Sequence, residues 1–311
     1  METIEKNPRS PDMAIIACIV VATSYVAMLY TPYNRTTLFL RRNSPQLIKR
    51  RLVSAILLTL FWVSLTPIYL TFISKSASSI IQAVSLFGII PGLKYTHDGY
   101  RFGISNLISY INDTSHCGLL IMVLLIGPII NEAFFETDFR GQRHSIVESV
   151  ISELKTVMGL RNLVVAPITE EIIYRCVILS LLIPLNNVNA DVLIFLTPLF
   201  FGVAHLHHGY ELYKEGSIPV LQIIMVIGFQ LLYTTLFGAL EAFLFLRTGN
   251  ALGICFVHAC CNYFGFPSIN IESDRKWWKY AYWMLLVVGV VGFKILLFPI
   301  TESINSPIKW H

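Results

Sequence analysis

Charge is scarce in this sequence. Only 14% of its 311 residues are Asp, Glu, Lys or Arg, while 55% are hydrophobic and the mean hydropathy is +0.64. An ordinary soluble domain carries about a quarter charged residues, so a water-soluble globular chain is excluded. Long basic patches are also missing. The net charge of +4 is spread over short clusters flanked by apolar runs, which leaves no nucleic-acid footprint. There is no CxxC pair, and the six cysteines all lie within or beside apolar runs. They read as buried small hydrophobes, with no disulfide framework or structural zinc site. HExxH is absent, as are internal repeats and low-complexity segments. Many transporters are built of two related halves, and none are seen here. What remains is a single integral membrane domain, residues 1–311.

The apolar runs predict an all-α, polytopic bundle of about eight transmembrane helices, at 13–30, 52–74, 117–135, 161–183, 192–204, 218–246, 251–266 and 280–298. The first run is longer than a signal-peptide core and is expected to be retained. Residues 79–91 are too short to cross and read as interfacial. Ile146, Val150, Ile151, Leu154 and Val157 recur at helical spacing, as in an amphipathic surface helix. Residues 210–217 read as a polar loop, and residues 274–279 as a basic, aromatic interface anchor. Arg35, Arg41, Arg42, Lys49, Arg50 and Arg51 make the loop after the first span cytosolic. Asn112-Asp113-Thr114 is then a lumenal sequon, and Asn34-Arg35-Thr36 is discounted as cytosolic.

The fourth span holds the sequence's most costly feature. Glu170, Glu171 and Arg175 lie inside an apolar run. A charge in hydrocarbon costs about 2.5–3.5 kcal/mol on insertion scales, which marks such groups as functional candidates. Glu171 and Arg175 are four apart and share a helix face, so they are expected to pair. Glu170 is rotated about 100° away and is left as a candidate base. The alternative is that both acids only tie helices together, and spacing favours neither reading.

Two histidines complete the pattern. Glu170 is ~14 Å into span four, His205 ends span five, and His258 is ~12 Å from the end of span seven. On an eight-span topology all three converge in the cytosolic half of the bilayer. A carboxylate and an imidazole holding one water form a general-base pair. His258 and Asn262, four apart on one face, could stabilise an oxyanion. Glu170, His205 and His258 could instead bind zinc with an open fourth position, although the spacing supports this less. Glu241, in span six, reads as a helix–helix tie. A non-catalytic scaffold or transporter using these charges as ties or a proton relay is the reading of a different class.

Glu170-Glu171-x-x-x-Arg175, Phe201-x-x-x-His205 and His258-x-x-x-Asn262 stand in the motif order of the CAAX protease and bacteriocin-processing superfamily. The flanks Thr197–His208, Phe243–Gly249 and Cys261–Pro267 resemble the eukaryotic Ras-converting type II CAAX prenyl endopeptidases. The resemblance is dense over residues 160–267, the expected catalytic core. It implies an eight-span endopeptidase of the endoplasmic reticulum, with its site open to the cytosol. Such an enzyme removes the AAX tripeptide from prenylated CAAX proteins such as Ras-type GTPases. Carried over by position, Glu170 and His205 activate water, and His258 and Asn262 support the oxyanion. The family is read as metal-independent, so no cofactor is expected, with zinc the lesser alternative. Glu171 and Arg175 are expected, from spacing, to support the site.

Overall fold

Hydrocarbon offers no hydrogen-bond partners, so an apolar chain closes its backbone bonds within helices. The computed structural model shows this. It describes residues 11–30, 43–96, 99–134, 145–185, 189–216, 218–268, 271, 275–308 and 310. Arg35, Arg41, Arg42 and the Asn34 sequon lie outside these residues.

Helix α1 (Pro11–Tyr30) is followed by α2 (Pro45–Ile73) and the short α3 (Ile80–Ser85). A small antiparallel hairpin, β1 (Leu93–Thr96) and β2 (Gly99–Phe102), sets Leu93 opposite Phe102 and is a local departure from an otherwise helical chain. Then come α4 (Ile104–Leu124), α5 (Ile126–Phe134), α6 (Ile146–Leu154), a continuous helical segment α7 (residues 157–182), α8 (Ala190–Ala204), α9 (His207–Glu215), α10 (Val220–Thr248), α11 (Ala251–Phe264) and α12 (Lys276–Leu297). Among the described residues, six helical stretches are long and apolar enough to cross a membrane: α1, α2, α4, α8 with α9, α10 and α12. The chain is a multi-pass membrane protein. The shorter α11 and the charge-bearing α7 stand at the other two expected spans.

The second half of α7 is enclosed on every side, and residues 173–182 are all buried, as expected of a central helix. Around it pack Cys18 and Val21 of α1, Phe201 of α8, Leu244 and Phe245 of α10, and Ile254 and Val257 of α11. The outward faces of α2, α10 and α12 carry Leu60, Leu221 and Met284, apolar side chains suited to lipid.

Two elements differ from the sequence expectation. Helix α4 begins at Ile104, well before the expected residue 117, and so includes the Asn112 sequon. Its polar residues find partners within the fold: Asp113 accepts from Ser303 Oγ (2.6 Å) and Asn305 Nδ2 (3.0 Å), and Asn250 Nδ2 donates to Thr114 Oγ1 (2.9 Å). The expected loop at 210–217 is mostly α9. That helix is held by the Arg51–Glu211 pair at 2.5 Å.

The turn joining α10 to α11 sets where His258 lies. Gly249 ends α10 with φ +57°, and a Cβ there would sit 2.2 Å from the Asn305 carbonyl oxygen. Asn250 caps α11 by accepting from Gly253 N (2.7 Å), and also donates to the Tyr110 carbonyl (2.7 Å). Gly249→Ala combines a left-handed backbone with a backbone clash. We expect it to cost about 3 kcal/mol, read as a lowered unfolding midpoint in detergent.

Candidate active site

Pro167 has no N–H to return to the preceding turn, so α7 cannot run as a regular α-helix through this point. The helix widens into π-turns at Arg161–Val165 and Ile172–Val177, on either side of the two glutamates. Such turns displace side chains from regular spacing and are common at functional sites.

The adjacent glutamates enter different surroundings. The Glu171 side chain is fully buried, whereas that of Glu170 is 21% exposed. Arg175 Nη1 donates to Glu171 Oε1 at 2.9 Å, the expected pair. His258 Nδ1 reaches the same oxygen at 2.5 Å. Glu171 is therefore a hub linking the arginine of its own helix to the histidine of α11. Arg175 also lies over the Phe201 ring at 4.4 Å. A Cβ on Gly238 of α10 would fall 3.0 Å from Arg175 Nη2, so the absence of a side chain there lets α10 close over the guanidinium.

A carboxylate can only accept, so His258 Nδ1 carries the hydrogen, and Nε2 is directed to the other side. There it lies 3.8 Å from Glu170 Oε2, beyond a direct hydrogen bond. His205 is set in the same way, with Nδ1 donating to the Phe201 carbonyl at 2.8 Å. Each ring thus has its Nδ1 committed and its Nε2 available. Glu170, His205, His258 and Asn262 all line one cavity of about 370 Å3. One amide hydrogen of Asn262 goes to the Asn162 carbonyl (2.9 Å), tying the end of α11 to the first π-turn.

Several site residues were not singled out from the sequence. Tyr25 and Thr169 share a hydrogen bond at 2.8 Å, which fixes α1 against α7 directly before Glu170. Phe237 packs edge-on against His258 at 5.1 Å between ring centroids. Arg51 and Arg161 line the cavity. Glu241 is fully buried, and neither carboxylate oxygen has a hydrogen-bond partner among the described residues. No inter-helix tie through Glu241 is therefore seen there.

A catalytic zinc site needs three convergent protein donors at about 2 Å. Among the described residues, no three His, Cys, Asp or Glu side chains converge in this way.

The arrangement suits an attack by water. It offers a partly exposed carboxylate, two imidazoles of defined tautomer and an amide, all facing one cavity. Comparison with known proteins identifies relatives of one protease family. A family model described as type II CAAX prenyl endopeptidase Rce1-like matches residues 152–264. The CAAX prenyl protease 2 of Saccharomyces cerevisiae is 31% identical over 303 residues, covering 90% of this chain and 93% of the yeast protein. The human protein of the same name is 32% identical over 302 residues, covering 93% and 82% respectively. That of Arabidopsis thaliana is 30% identical over 307 residues, covering 95% and 91%. No solved structure gives a significant match.

Proposed function

Because this chain belongs to the type II CAAX prenyl endopeptidase family, we propose that it removes the AAX tripeptide from prenylated CAAX proteins, Ras-type GTPases among them, by metal-free attack of a water activated at Glu170. The observation that carries this reading is the convergence of Glu170 with the Nε2 atoms of His205 and His258 on one cavity.

Glu170 takes the proton of the attacking water, and His205 Nε2 orients that water. The scissile carbonyl then faces α11. In this step His258 acts as the imidazolium, entering and leaving the cycle with a proton on each nitrogen; its Nε2–H donates to the developing oxyanion, and the Glu171 carboxylate behind it balances the ring's charge. The second amide hydrogen of Asn262 assists in this scheme. Collapse of the tetrahedral species expels the amine of the departing tripeptide, which receives the proton held by Glu170.

The cavity opens to the cytosol in this proposal, in the membrane of the endoplasmic reticulum. Lys49, Arg50 and Arg51 lie at the start of α2, and Arg51 lines the cavity. By the positive-inside rule, these cations support a cytosolic position for that end of the bundle. A lipid-anchored peptide made in the cytosol would reach the site from the same side.

The test is cleavage of a farnesylated CAAX peptide by purified protein, with and without a strong chelator. Cleavage that persists in chelator is the expected result. Loss in chelator, restored by added zinc, would transfer the mechanism to a metal. No cleavage by folded protein would remove the protease assignment and favour the scaffold reading.

A further inference from the structure

A second depression runs along the outside of the bundle, between α1 and α8. Its volume is about 820 Å3, more than twice that of the catalytic cavity at about 370 Å3. One end is formed by Pro11, Leu185 and Val192, and the other by Val26, Ala204 and His207. From Val192 to Ala204, α8 rises ~18 Å, so the groove follows the helix over most of its length.

Its walls present almost only carbon. Of the polar side chains that line it, Thr23 and Thr197 donate back to the Ile19 and Leu193 carbonyls, each at 2.6 Å, and His207 Nδ1 bonds the Ala204 carbonyl at 2.6 Å. Each therefore already has a bond to a nearby backbone carbonyl. Such a surface suits hydrocarbon and gives little to a polar ligand.

The groove does not end blindly. Val26, Ala204 and His207 line both it and the catalytic cavity, and Ala204 directly precedes His205. A ligand whose chain lies in the groove would bring its head to the mouth of the cavity that Glu170 and the two histidines line. In a prenylated CAAX peptide, the cysteine that carries the chain also contributes the carbonyl of the scissile amide. Chain and reacting carbonyl are therefore held a few bonds apart, as this shared end requires. We infer that the groove between α1 and α8 binds the prenyl chain of the substrate, with Val26 and Ala204 forming the threshold to the catalytic cavity. This rests on the protease reading above and adds to it where the lipid lies.

Two lipid-facing residues allow a test with little risk to folding. Ile19 and Leu196 line the groove and are 46% and 55% exposed. Ile19→Trp and Leu196→Trp should fill its middle. The KM for a farnesylated CAAX peptide should rise about tenfold, the equivalent of losing burial of part of the chain, with kcat much less affected. The rise should be steeper for the longer geranylgeranylated peptide. Val287→Trp, on the exposed face of α12, is the control and should leave KM unchanged. In parallel, a CAAX peptide with a diazirine in its terminal isoprene unit is irradiated with wild-type protein, and labelled fragments are mapped.

Label within Pro11–Tyr30 and Ala190–Ala204 supports the groove, and label confined to other helices overturns it. Unchanged KM and chain-length preference in both folded tryptophan variants would also overturn it, leaving the depression to bilayer acyl chains. Failure of the wild type to cleave would instead strike the protease reading. The labelling pattern would still decide whether the groove takes the chain.

Discussion

Glu170→Gln should lower kcat for CAAX-peptide cleavage by about 10³-fold, within the range supplied by a positioned general base. The fold should be unaffected. Glutamine keeps the shape of glutamate, and the Glu170 side chain is 21% exposed, so little packing depends on its charge. The measurement is single-turnover cleavage by the variant, beside a thermal unfolding curve in the same detergent. A folded variant retaining a tenth or more of wild-type activity would rule out Glu170 as the base. His205→Gln should be milder, since it removes the orientation of the water while leaving the proton acceptor. The same assay should place it between the wild type and Glu170→Gln.

Arg175→Leu should instead act on stability. Glu171 is fully buried, and the guanidinium is the permanent cation hydrogen-bonded to it. Removing one member of such a pair typically costs about 3–5 kcal/mol, because the remaining charge stays in a poor solvent. Denaturant unfolding in micelles should show that loss. The double variant Glu171→Leu/Arg175→Met removes both charges and should recover most of the stability. It should not recover activity, since His258 Nδ1 loses the acceptor that sets its tautomer and orientation. Recovery of both would mean that Glu171 only ties the structure. Recovery of stability alone would make Glu171 a positioning residue for His258.

How much of this was legible in the sequence follows from the range of each interaction. The Glu171–Arg175 pair is local, and helical spacing alone placed the two on one face. The separation of Glu170 from Glu171 was readable for the same reason. Three polar groups at similar depth could be found by counting residues along spans. Which of them touch could not. The His258–Glu171 bond joins residues 87 positions apart and depends on how α11 is rotated about its axis, which no local pattern encodes. The Asn262–Asn162 bond is hidden more deeply, because its acceptor is a backbone carbonyl in a π-turn and any residue type could supply it. Helix α4 was expected too short because Asn112, Asp113 and Thr114 look like lumenal residues when read alone. Their partners, Asn250, Ser303 and Asn305, come from distant parts of the chain.

That last arrangement bears on how the protein is made. Asp113 enters the membrane with α4, but Ser303, one of its hydrogen-bond donors, follows by 190 positions. At ribosomal rates of about 5–20 residues per second, the interval is about 10–40 s. During this time the acid must be held by other means, through water, lipid headgroups or the insertion machinery. Closure of the bundle at this end is thus a late event in biogenesis. A chain stopped after Pro299 should insert its helices yet be turned over faster than the complete chain, which pulse-chase labelling of the two would show.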